Sequence, residues 1–97
     1  MASKRDLKKD IDYLIFEVIT DCFAYKEVMP DNNIDKIAEI INDAVGLRND
    51  LIARINNPEG KDNRHITKVY YQRVRKDLFE KVDELFSRLS ALASAKK

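Results

Sequence analysis

Apolar side chains recur at steps of three and four along most of this chain, and the pattern stops twice, at short clusters rich in asparagine and proline. Such a step returns a side chain to the same side of an α-helix, whereas a strand returns it every second residue. The chain is therefore expected to be all-α. The first segment, about residues 4–27, places Leu7, Ile11, Leu14, Ile15, Val18, Cys22 and Tyr25 on one side, with Ile19 and Phe23 widening it. Ser3 is positioned to cap this helix, and Asp6 follows it in the manner of a capping box.

The second segment, about residues 33–56, carries a stripe of Ile34, Ile37, Ala38, Ile41, Val45, Ile52 and Ile55, with Ala44 and Leu51 beside it. Gly46 falls on the outward side, as a tolerated weak spot in the helix. The third, about residues 63–93, carries Val74, Leu78, Val82, Leu85, Leu89 and Leu92, extended backwards by Tyr70 and Tyr71. Phe79 and Phe86 line one shoulder of it.

Between the segments lie Met29-Pro30-Asp31-Asn32-Asn33 and Asn56-Asn57-Pro58-Glu59-Gly60. Pro30 has no N–H and disfavours helix at Met29. Asn32 or Asn33 is suited to cap the second helix, and Asp62 or Asn63 the third. Joints this short make neighbouring helices antiparallel. The expected architecture is an up-down-up three-helix bundle with a long third helix, forming one domain over residues 1–97. At ~1.5 Å per residue the first two helices would be ~36 Å long and the third ~46 Å, so the third overhangs.

Composition agrees with a folded helical domain. Apolar residues are 44% of the 97 and charged residues 36%, with two glycines and two prolines. The net charge of +1 calls for neither nucleic acid nor an anionic membrane. Apolar runs such as Tyr13 to Phe16 are far short of the ~20 residues of a membrane span. The polar opening residues lack a signal-peptide pattern, and one cysteine suits a reducing compartment, so the expected location is cytoplasmic.

The search for catalytic chemistry gives little. One histidine, His65, and one cysteine, Cys22, make neither a zinc nor a haem pattern. Cys22 lies on the apolar stripe, where a thiol is inert core filler. Asp10, Glu17 and Asp21 share a track on the first helix, but no Glu-x-x-His accompanies them, so a solvated flank is preferred to a metal site. No cofactor is expected, and the chain is expected not to be an enzyme.

Three other groups are candidates. Arg64, Lys68 and Arg75 share a track on the third helix with Tyr71, an arrangement that could hold a phosphate backbone and stack a base. The competing expectation pairs the track with acids of the parallel first helix, Asp10 near Lys68 and Glu17 and Asp21 near Arg75. Phe79 and Phe86 would either complete the monomer core or form a self-association interface. Arg48 interrupts the second stripe and needs either a snorkelling stem or a carboxylate, with Asp10 or Glu17 as the expected partner.

Residues Lys4-Arg5-Asp6-Leu7-Lys8-Lys9-Asp10-Ile11-Asp12-Tyr13, Arg54-Ile55 with Pro58-Glu59, Lys68-Val69-Tyr70-Tyr71 and the position of Cys22 resemble a family of short all-helical proteins of unknown function from Bacteroidetes-type bacteria. The resemblance implies a compact helical cytosolic protein and carries over no activity or functional residue. The expectation is a non-enzymatic interaction or regulatory module with a protein partner or a second copy, and the alternative is a nucleic-acid-binding module.

Overall fold

The computed structural model describes residues 4–29, 33–58 and 62–94. They form three helices: α1 (Lys4–Val28), α2 (Ile34–Asn56) and α3 (Arg64–Ser94). The observed bounds lie within a residue of those drawn from periodicity, and the up-down-up bundle with a longest third helix is the observed architecture. All three helices pack against one another in a rod of 54 × 19 × 16 Å.

The core is a single continuous row. α1 supplies Leu7, Ile11, Ile15, Val18 and Cys22; α2 supplies Ile37, Ile40, Ala44, Leu51 and Ile55; α3 supplies Val74, Leu78, Val82, Leu85 and Leu89. No polar or charged residue is buried among the described residues, so association of the helices rests on apolar burial.

On α2 the observed core differs from the expected stripe. Ile34 and Val45, expected inside, are exposed, as is Ala38, while Ile41 and Ile52 are half-buried. Ile40, absent from the expected stripe, is fully buried. The helix has apolar residues on two adjacent seams, with the doublets Ile40-Ile41 and Leu51-Ile52 contributing one side chain to each. Periodicity identifies both seams and does not say which one meets the other helices. On α1, Phe23 was expected to widen the core face and instead stands outside it.

Helix ends account for several polar contacts. Asn63 caps α3 as expected, its Oδ1 accepting from the backbone N–H of His65 at 3.0 Å and of Ile66 at 3.2 Å. Asn33 occupies the cap position of α2 in a left-handed conformation (φ 56°), which asparagine tolerates. Its side chain makes no cap bond and donates from Nδ2 to the Tyr25 hydroxyl at 3.2 Å. Tyr25 in turn donates weakly, at 3.4 Å, to the carbonyl of Leu92 in the last turn of α3. Tyr71 does the same for the carbonyl of Ile55 in the last turn of α2, also at 3.4 Å. Last-turn carbonyls have no partner within their own helix, so each tyrosine ties a helix end to its neighbour. Ser3, Asn32 and the terminal three residues lie outside the described residues.

Among the described residues four Arg–Asp pairs cross between helices, and together they mark the register in which the helices pack. Arg48 pairs with Asp12 of α1 at 2.8 Å, and Arg75 with Asp10 at 2.9 Å. Arg54 pairs with Asp77 at 2.9 Å, and Arg88 with Asp43 at 2.8 Å. This corrects two expectations. Arg48 meets Asp12 rather than Asp10 or Glu17, because Asp12 lies on the flank of α1 that faces α2 whereas Asp10 lies on the flank that faces α3. Arg75 meets Asp10 rather than Glu17 and Asp21, because α3 is placed about two turns from the expected register.

Two outcomes follow for stability. The added Cβ of a Gly46→Ala variant would meet no atom within 4 Å, so the variant should gain about 0.5–1 kcal/mol from helix propensity alone. Leu51→Ala should lose roughly 2–5 kcal/mol through the cavity it leaves, whereas Arg48→Met, which breaks a pair 43% and 56% exposed, should change stability by less than about 1 kcal/mol. Urea unfolding of the three variants measures all of these.

Candidate docking face

The basic track of α3 is partly consumed by the fold. Arg75 is held by Asp10, and Tyr71 is half-buried against the core with its hydroxyl on Ile55. Arg64 and Lys68 remain exposed. The four residues are thus not one free surface. Phe86 is half-buried against the core, and Phe79, a turn beyond Arg75, is 49% exposed. Because Arg75 is level with Asp10, Phe79 stands level with Leu14 in the middle of the bundle and not on an overhanging end.

A different apolar surface is more prominent. Tyr13, Phe16 and Phe23 on α1 are 63%, 67% and 56% exposed. With Thr20 between them they follow the alternating steps of three and four that the core row also follows. At 100° per residue they point about half a turn away from Leu7, Ile11, Val18 and Cys22. α1 therefore has two opposed apolar rows, one buried in the bundle and one facing out. Thr20, Phe23, Ala24, Lys26 and Glu27 line an open hollow of about 580 Å³ along the outward row.

α2 widens this surface. The Asp12–Arg48 pair places Val45, a turn before Arg48, beside the turn of α1 that holds Phe16. The Asn33–Tyr25 bond places Ile34 near Phe23 at the other end. Both aliphatic side chains are exposed. The three aromatics alone expose about 350–400 Å², taking ~200 Å² for an aromatic side chain fully in water. Together with Val45 and Ile34 the patch falls in the range of about 300–600 Å² of the largest apolar patch on a typical monomer, which is often functional. The signal was present in the sequence: Tyr13 to Phe16 and Cys22 to Tyr25 are its two longest apolar runs, and Phe16 and Phe23 are seven apart.

The titratable groups add detail. The Tyr13 hydroxyl hydrogen-bonds the Glu17 carboxylate one turn on, and that bond, with the carboxylate's charge, raises the phenol above its ordinary value. Burial lowers the Arg54 guanidinium, but hydrogen bonds and charge from Asp77 and Tyr70 outweigh it and hold it up. Among the described residues, no group of His, Cys, Asp and Glu is arranged to hold a metal ion, and no helix is long and apolar enough to cross a membrane.

Cys22 is fully buried, and burial pushes its thiol up, with Asp21 adding to the shift and Arg88 opposing it. A thiol kept neutral when folded and free to ionise when unfolded costs stability once pH rises past the unfolded value, about 8.5. The native chain should therefore lose stability more steeply above that pH than a Cys22→Val variant. Parallel curves from urea unfolding across that range would contradict the assignment.

No protein-family model matches this chain, and neither a curated protein nor a solved structure matches it.

Proposed function

We propose that the protein is a non-enzymatic, cytoplasmic interaction module that docks a protein partner on the outward face of α1. The observation that carries this reading is the row Tyr13, Phe16 and Phe23, three large aromatic side chains left in water on the side of α1 opposite the core. Leaving them exposed forgoes apolar burial that the bundle itself has no means to supply. Aromatic residues are also the ones that dominate the energetics of protein interfaces. The nucleic-acid alternative has weaker support, since Arg75 is engaged by Asp10 and Tyr71 is packed against the core.

Immobilised chain, offered nuclease-treated cytoplasmic extract, tests the choice. Wild type should retain protein partners that a Phe16→Glu/Phe23→Glu double variant loses at least tenfold, while Arg64→Glu/Lys68→Glu retains them. The opposite pattern, loss of bound material with nuclease or with the α3 variant alone, would replace this reading with the nucleic-acid one. Both pairs are exposed, so circular dichroism should report an unchanged helical fold.

A further inference from the structure

We infer that the occupant of the α1 face is a second copy of this chain, with the two α1 helices packed antiparallel; this rests on the docking reading above. The inference comes from the order of residues along the outward row. Continued by one step at each end, the row is Lys9, Tyr13, Phe16, Thr20, Phe23, Glu27, all exposed and spaced by four, three, four, three and four. That alternation is the spacing of a coiled-coil seam. The row begins with a cation and ends with an anion.

A two-fold axis across α1 near Val18 makes this row complementary to itself. Tyr13 meets Phe23 of the second copy, and Phe16 meets Thr20, a small β-branched residue that leaves room for a ring. Lys9 meets Glu27 of the second copy, and the symmetry repeats every pairing. A parallel arrangement would instead set Lys9 against Lys9 and Glu27 against Glu27, so charge selects the antiparallel one. Isologous contact of this kind is the commonest symmetry among oligomers.

The area is consistent with such a dimer. A standard interface takes about 800 Å² from each partner. The exposed aromatics supply nearly half of that. Val45 and Ile34 on α2, the stems of Lys9 and Lys26, and the walls of the hollow beside Phe23 extend the patch toward the rest.

Sedimentation equilibrium on the purified chain, from micromolar to about 1 mM, tests the inference. Wild type should show the mass of two chains at the upper end, and Phe16→Glu/Phe23→Glu the mass of one throughout. Glu27→Lys should weaken dimerisation about tenfold, and Lys9→Glu/Glu27→Lys should restore it, a reciprocity that only the antiparallel register produces. Wild type with the mass of one chain at every concentration would overturn the inference. So would a dimer abolished by Phe79→Glu but not by the α1 variants. Either result leaves the docking reading standing if α1 variants still lose a protein partner from extract, so the two failures are distinguishable.

Discussion

Everything in this bundle depends on excluding water from one row of aliphatic side chains shared by three helices. Leu7, Ile11, Ile40, Leu51, Ile55, Val74 and Leu78 are sealed completely, and no polar side chain interrupts them. That row decides that the helices associate, but it is nearly uniform along its length. The small side chains Cys22 and Ala44 interrupt that uniformity, and close packing of unlike volumes already favours some alignments over others.

Polar groups at the margins add to that alignment. Short aspartates take arginines from the neighbouring helix at every one of the three helix–helix contacts. Tyrosine hydroxyls join α1 to α3 at one end and α3 to α2 at the other. Each contact is weak where it is exposed. Their joint effect is positional, since a slip of one turn would break them together.

The fold was legible in the sequence because helical periodicity and helix breakers are local signals. Pro30, Pro58 and Asn63 mark boundaries that the structure reproduces closely. Facing and register were harder. On α2, Ile40 and Ile41 are adjacent, and nothing local says which turns inward. Arg48 visibly needed either a snorkelling stem or a carboxylate, yet Asp10, Asp12 and Glu17 differ only by rotation about α1 and by register, quantities that depend on all three helices at once. The outward row of α1 was equally visible as letters, but a helix with two apolar sides is easily mistaken for one with a single broad side. Only the packing of α2 and α3 shows that they cover one of them.

The placement of charge on α2 and α3 has a consequence for how these two helices can pair. Asp43 and Arg54 stand eleven residues apart, as do Asp77 and Arg88, and each pair runs acid first. Head-to-tail alignment of the two helices therefore joins opposites at both places. Side-by-side alignment in the same direction would confront acid with acid and base with base. Within one molecule the brief connection between these helices already forbids that alignment. Between separate molecules nothing covalent forbids it, and there the sign pattern disfavours pairing α2 with α3 in the same direction.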